Sequence, residues 1–179
     1  MLDKEFGRIG RRLFADHLLG GNFGNLSLRA DDGFYITMRG AYLDTDKMPV
    51  HVPFDGPVPE SASSEYRAHR KIYDMTGHRA VVHAHPPYSV SASFANDAIR
   101  PLDSEGLMFC PEIPVIDGEP GSTDLALNCA EALKESNIVI ARGHGTFAAG
   151  KTLDEGYLFT SIVEHSCRVL LYSGFFRRL

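Results

Sequence analysis

Leu2, Phe6, Ile9 and Leu13, with His17 beyond them, recur at helical spacing while Asp3, Lys4, Arg8, Arg11 and Arg12 fall on other faces. That period predicts an amphipathic opening helix stopped at Gly20-Gly21. Residues 26–28 and 34–37 alternate over short spans around Asp31-Asp32-Gly33 and read as two strands joined by a turn. A polar, proline-punctuated stretch from Asp44 to Ser61 reads as loop. From Ser63 to Tyr73 the pattern turns helical, with a serine N-cap and Glu65 in the first turn.

The run Ala80-Val81-Val82-His83-Ala84-His85 is apolar and β-branched until Pro86-Pro87 closes it, so a strand is expected to end at its histidines. Ser122 or Thr123 caps a helix through Leu133, with Leu125, Cys129 and Leu133 on one face. Ile138-Val139-Ile140-Ala141 is a buried strand running into the turn Gly143-His144-Gly145. Thr152 and Glu155 form a capping box. It opens a long last helix, expected to turn Leu158, Ile162, Val169 and Tyr172 inward and to end before Gly174. Strands and helices alternate irregularly, which predicts one domain over residues 1–179, built as a mixed or antiparallel sheet covered by helices.

Composition narrows the function. The chain has 179 residues, 44% hydrophobic and 23% charged, and a formal net charge of −5; it has core enough to fold and lies away from disordered compositions. No Lys/Arg cluster exceeds a pair such as Arg11-Arg12 or Arg177-Arg178, which leaves no footprint for nucleic acid or an anionic membrane. The charged N-terminus lacks the apolar stretch of a signal peptide, and Cys110, Cys129 and Cys167 form no C-x-x-C pair, so a cytoplasmic, disulfide-free protein is expected.

Eight histidines are the conspicuous chemistry. Residues two apart in a strand share a face about 6 to 7 Å apart, so His83 and His85 present two imidazoles together at a strand end. His144, between glycines at the end of another strand, could supply a third nitrogen, and Glu65 is the candidate carboxylate. Three neutral histidines plus a carboxylate or water suit a catalytic zinc site. Each piece has a plainer alternative: Glu65 could merely complement a helix dipole, and His144 could be an ordinary turn residue. His17, His51, His69, His78 and His165 read as structural or solvated, with His69, one helical turn after Glu65, set apart. Neither the cupin nor the metallo-β-lactamase pattern follows the H-x-H pair.

The glycine- and asparagine-rich run from Gly20 to Ser27 suits a backbone nest for an anion, although a tight turn would use the same residues. Thr37-Met38-Arg39-Gly40 and Ser63-Ser64 add hydroxyls, amides and a cation.

In order and spacing, Gly24-Asn25-Leu26-Ser27, Thr37 to Gly40, Ser63-Ser64-Glu65, Val82-His83-Ala84-His85 and Gly143-His144-Gly145 resemble the class II aldolase/adducin family over about residues 1–172. That family includes zinc-dependent fuculose-1-phosphate and rhamnulose-1-phosphate aldolases and ribulose-5-phosphate 4-epimerase. The resemblance implies a three-layer α/β/α fold around a largely antiparallel mixed sheet, and a homotetramer with active sites at subunit interfaces. It implies Zn2+, or another divalent cation, on His83, His85 and His144, with Glu65 as fourth ligand and catalytic acid/base. It also implies a phosphate pocket from Asn22, Asn25, Gly40, Ser63 and Ser64.

The implied activity is aldol cleavage of a small ketose 1-phosphate, with the metal stabilising an enediolate and the displaced Glu65 moving its proton. Dehydration, epimerisation or decarboxylation at the same site are the alternatives, as is a non-catalytic module like the adducin head. Epimerases of the family carry Asp where Glu65 stands, which favours aldol cleavage. Two departures stand out. A tyrosine that protonates the leaving aldehyde in fuculose-type aldolases falls near Ser104 or Glu105, with Tyr88 a candidate substitute, and little chain follows Gly174 to form the family's tyrosine-bearing tail.

Overall fold

The computed structural model describes residues 1–176, with side chains for 1–174; the Arg177-Arg178 pair lies outside the described residues. The opening period yields α1 (Leu2–Ala15), which buries Phe6, Ile9 and Leu13. The helix stops well before Gly20. His17 takes a left-handed φ of 56°, and the N–H groups of Leu18 and His17 donate to the carbonyls of Leu13 and Phe14 at 2.9 and 3.1 Å. That is a Schellman closure with histidine where glycine is usual. It puts His17 in solvent instead of on the apolar stripe.

The predicted hairpin forms as β1 (Asn25–Arg29) and β2 (Gly33–Ile36), antiparallel with Ser27 opposite Ile36. The segment expected as loop contains β3 (Val50–Pro53), which pairs with β2 and buries Val52 completely. Its two alternating valines are obscured in the sequence by the flanking prolines; Pro53 fits because it sits at the end of an edge strand. Next come α2 (Tyr66–Met75), β4 (Ala80–Ala84), α3 (Pro87–Ser93) and β5 (Ala98–Ile99). They are followed by α4 (Ser104–Phe109), β6 (Ile113–Ile116), α5 (Thr123–Ala132), β7 (Ile138–Ala141), β8 (Gly145–Gly150) and α6 (Leu153–Phe176).

The strands form one sheet in the order β3-β2-β1-β4-β8-β7-β6-β5, antiparallel except for β6 with β7. Helices cover both faces. On one, Ile72 and Tyr73 of α2 and Leu125 and Cys129 of α5 pack on Val81, Val139 and Phe147. On the other, Phe6, Ile9 and Leu13 of α1 and Leu153 of α6 cover Ala80 and Val82, and Val163 and Cys167 cover Ile138, Ile140 and Ala148. This is the three-layer, largely antiparallel architecture the resemblance implied. Because successive strand residues alternate faces, His83 shares the α2/α5 side with Val81.

The long last helix differs from its expected face. Ile162 is buried, but Leu158 and Tyr172 are 44% and 50% exposed, and Val169 is half-buried. Thr160, Val163, Ser166 and Cys167 are the buried set instead. Small and hydroxyl-bearing residues let α6 lie close to the sheet: a Cβ on Gly156 would come within 2.6 Å of the Val82 side chain, and the Thr160 hydroxyl donates to the Gly156 carbonyl at 2.8 Å. The helix also continues through Gly174 to Phe176.

At its start, the Glu155 N–H donates to the Thr152 hydroxyl at 3.2 Å as the capping box requires, while the Glu155 carboxylate accepts from the N–H of Lys151. Arg8 grips both carboxylate oxygens of Asp154 at 2.7 and 2.6 Å, and Arg12 adds a third contact, joining α1 to α6. The three cysteines are buried and free. No helix among the described residues is long and apolar enough to cross a membrane.

Candidate metal centre and substrate cavity

β4 and β8 run antiparallel with His83 opposite Phe147 and Ala84 opposite Thr146, so the end of β4 lies beside the start of β8. His85 follows β4 directly, and His144 immediately precedes β8 in a tight turn in which its N–H donates to the Ala141 carbonyl at 3.0 Å. Gly143 supplies the left-handed residue of that turn at φ 67°. Gly145 lets the two strand ends touch, since a Cβ there would lie 2.2 Å from the Ala84 carbonyl oxygen. Three imidazoles from two distant segments thus meet, with ligand atoms all within 4.8 Å of one another.

The hydrogen bonds aim these rings. His83 Nδ1 lies 2.9 Å from the Thr146 carbonyl oxygen, which can only accept; Nδ1 therefore carries the proton and Nε2 presents a lone pair. That Nε2 faces His85 Nε2 at 3.0 Å. His144 Nδ1 is buried without a hydrogen-bond partner. Phe147 stacks under His83 with centroids 4.1 Å apart, and Phe23 stacks on His85 at 5.6 Å.

Burial holds all three rings neutral. It pushes the His83 pKa well below the usual imidazole range, helped by repulsion from His85 and His144. His85 is lowered to about 4 by burial and by His144, and His144 is lowered by burial. Neutral imidazoles with converging free nitrogens are the form that ligates a metal. The donor set and the orphaned His144 nitrogen fit a divalent cation.

Glu65 sits at the N-cap of α2 and not in its first turn, because the chain enters the helix only after Ser63 and Ser64. Its carboxylate makes no cap hydrogen bond. Oε2 is buried without a partner. Burial raises its pKa, opposed by the donating Gly121 amide and by Arg67. Glu65 lines the same cavity as the three histidines but stands outside the group of nitrogens within 4.8 Å.

That cavity, about 240 Å³, also brings together Asn22, Asn25, Gly40, Ser63 and Ser64. Asn25 is buried with Oδ1 unpartnered, and the Ser63 hydroxyl accepts from the Glu65 N–H at 3.4 Å. Arg39, Met38 and Phe23 contribute to the wall, as does Pro120. Sequence reasoning missed the Pro120-Gly121 turn. A Pro-Gly pair after an apolar strand was the available signal, but it marks a turn without saying what the turn faces.

Tyr88 and Glu105 do not line this cavity. Both line a separate groove of about 840 Å³ beside the end of α1 and along α6, with His17, His165 and Arg168. There the Tyr88 hydroxyl meets that of Tyr172 at 3.3 Å. Ser104 donates to the Glu105 carboxylate at 2.7 Å. His69 is fully buried on α2, its Nδ1 2.6 Å from the Ser27 hydroxyl. His51 pairs with Asp32 and His78 with the Leu133 carbonyl.

Comparison with known proteins gives these features a context. Residues 4–171 match the family model described as Class II Aldolase and Adducin N-terminal domain. An L-fuculose phosphate aldolase of Methanocaldococcus jannaschii is 29% identical over 174 residues, covering 94% of each chain. A 3-oxo-tetronate 4-phosphate decarboxylase of Cupriavidus necator is 34% identical over 140 residues, 72% of this chain and 64% of that one. Among solved structures, an L-fuculose-1-phosphate aldolase from Thermus thermophilus superposes with a TM-score of 0.95 at 38% identity, covering 98% of this chain and 95% of that one.

Proposed function

The chain belongs to the class II aldolase and adducin family, whose enzymes are metal-dependent, and its relatives make it a lyase of the aldolase type; from that premise we propose that it is a zinc-dependent aldolase. Its substrate in this reading is a small, fuculose-1-phosphate-like ketose 1-phosphate, cleaved reversibly to dihydroxyacetone phosphate and an aldehyde. The observation that carries the reading is one cavity in which three neutral imidazoles and a buried carboxyl share walls with amide, hydroxyl and guanidinium groups suited to phosphate. Residues 1–179 act as one domain, the location is cytoplasmic as the charged N-terminus and unpaired cysteines suggest, and the working form is a homotetramer, as the family resemblance implies.

His83, His85 and His144 would hold the cation, which would supply Lewis-acid polarisation of the substrate carbonyl. Asn22, Asn25, Gly40, Ser63 and Ser64 hold the phosphate, with Arg39 supplying positive charge in the cavity wall of a chain whose net charge is −5. In the cleavage direction the bond between C3 and C4 breaks, the C4 hydroxyl gives up its proton to solvent water as that carbon becomes an aldehyde, and the electron pair passes to C3, which takes up one proton in exchange. Glu65 delivers that proton to C3. A carboxyl whose pKa burial has raised is a better proton donor near neutral pH than an exposed one.

The test couples released dihydroxyacetone phosphate to a reporter across a panel of ketose 1-phosphates. Glu65→Gln is expected to keep the fold and the bound metal and lose cleavage by at least about 100-fold, the scale of general acid–base catalysis. Turnover equal to wild type would assign the proton transfer elsewhere. Similarity to a decarboxylase of a 3-oxo acid phosphate supports a second reading with the same metal and phosphate groups. Carbon dioxide release from such an acid, without dihydroxyacetone phosphate from any ketose, would select it.

A further inference from the structure

His85 and His144 come from segments about 60 residues apart, yet both are tied to one short helix. α3 begins directly after His85-Pro86. Its first free amides, those of Tyr88 and Ser89, donate to Oε1 and Oε2 of Glu164 on α6 at 2.9 and 2.8 Å, and the Ser89 hydroxyl donates to Oε2 at 2.8 Å. Glu164 is 8% exposed, so its carboxylate is a buried group committed to the start of α3.

The other end of α3 is held to the His144 turn. The Ser93 hydroxyl donates to the Val90 carbonyl at 2.7 Å and accepts from the Gly143 N–H at 3.0 Å. Arg142 donates to the Ser93 carbonyl and, at 3.1 Å, to the Asn96 carbonyl. The rest of its guanidinium is held by Asp97 and Asp117, each at 2.8 Å. An acidic group at the start of a helix and a cation at its end also match the helix dipole. The Phe94 ring fills the space beside Gly143, 3.0 Å from where a Cβ would stand.

We propose that Glu164 and Arg142 are positioning residues for the metal: by pinning the two ends of α3 they fix the separation of His85 and His144, so that the three nitrogens converge before an ion arrives. Neither residue belongs to the histidine cluster; they act through backbone and turn. A ligand set held ready does not lose conformational freedom on binding, and weakening its supports lowers affinity even when every ligand remains. The inference rests on reading the three histidines as metal ligands.

The test titrates metal-free protein with Zn2+ against a chelating dye, and with Co2+ by visible absorption, which reports coordination geometry. Glu164→Gln replaces one accepting oxygen by an amide NH2 that opposes the helix amides. Arg142→Lys keeps the charge but cannot span two carboxylates and two carbonyls. Each is expected to weaken Zn2+ binding about 10-fold and to alter the Co2+ spectrum, and the double variant is expected to lose less than the product of the two, because both act on one strut.

Leu133→Ala, which destabilises the α2/α5 core and not the cluster on which Tyr88 and Ala92 of α3 pack, controls for general loss of stability and should leave both metal readouts unchanged. If Glu164→Gln does not fold, Arg142→Lys carries the test alone. Affinities within about twofold of wild type, against the roughly 10-fold expected, with an unaltered Co2+ spectrum, would overturn the positioning role while leaving the metal site standing. Wild-type protein that binds neither ion would overturn both.

Discussion

Acid should unfold the metal-free protein in a way that can be traced to His69. Its ring is fully buried on α2, and burial lowers its pKa from 6.5 to about 3. In the unfolded chain the same ring takes up a proton near pH 6.5. As pH falls below that value the unfolded state binds a proton the folded state refuses, so stability is lost, and the loss is complete once pH passes the folded value. At full effect the slope is about 1.4 kcal/mol per pH unit; between pH 6 and pH 4 the accumulated loss from this one residue is about 2.5 kcal/mol.

His69→Gln removes the titration while leaving a side-chain oxygen able to accept from Ser27, whose hydroxyl is also 2.6 Å from that of Tyr73. Urea unfolding of chelator-treated protein at pH 8, 6, 5 and 4 is the assay. The variant should be within about 1 kcal/mol of wild type at pH 8, the scale of one altered hydrogen bond, and should lose about 2.5 kcal/mol less than wild type between pH 6 and pH 4. Parallel curves for the two proteins would refute the assignment of a neutral buried imidazole. The three cavity histidines add slopes of the same sign to both proteins and largely cancel in the difference, since His69 is the smallest of the causes that lower His83.

Gly145→Ala forces a methyl to within 2.2 Å of the Ala84 carbonyl oxygen; because backbone must move, a loss of at least about 1 to 3 kcal/mol and weaker Zn2+ binding are expected together, measured by urea unfolding and dye competition. Normal stability would mean that the β4–β8 ends separate freely. Ser64→Glu places a carboxylate in the cavity wall and should raise KM for phosphorylated substrates about 10-fold or more, with a smaller effect on unphosphorylated sugars. Equal effects on both would count against a phosphate subsite at Ser64.

Much of the local structure was legible because it depends on neighbours in the chain. The β-branched run before His83 and the Pro86-Pro87 stop are local signals, and so is the serine that caps α5, where Ser122 accepts from the Leu125 N–H at 3.0 Å. The family was legible for a related reason: short polar motifs kept their order along the chain, and the family match over residues 4–171 bears that out. Signals failed where packing overruled them. Helix α6 turns Thr160 inward beside Gly156, which lies against Val82 of the sheet, and Ser166 toward Gly106 of α4, while the larger Leu158 and Tyr172 face outward. Helix α1 ends on a histidine closure that no composition rule singles out. The role of Glu164 was invisible for the same reason, since a glutamate in a long helix reads as surface until α3 is seen lying on it.

The sequence by itself determined that His83 and His85 share one face, because strand geometry repeats every two residues, and that glycines flank His144. It also determined that the chain carries far more imidazole than thiol chemistry. Only the tertiary structure decided that His144 meets that pair, because this requires the antiparallel register of β4 with β8 across some 60 residues. Only it decided that Glu65 is a buried cap, whose burial makes it hold its proton more tightly than usual against the opposing amide of Gly121, a residue that arrives from much later in the chain. Spacing along a chain constrains which side chains stand side by side within one element; charge state and convergence depend on what the rest of the fold lays over them.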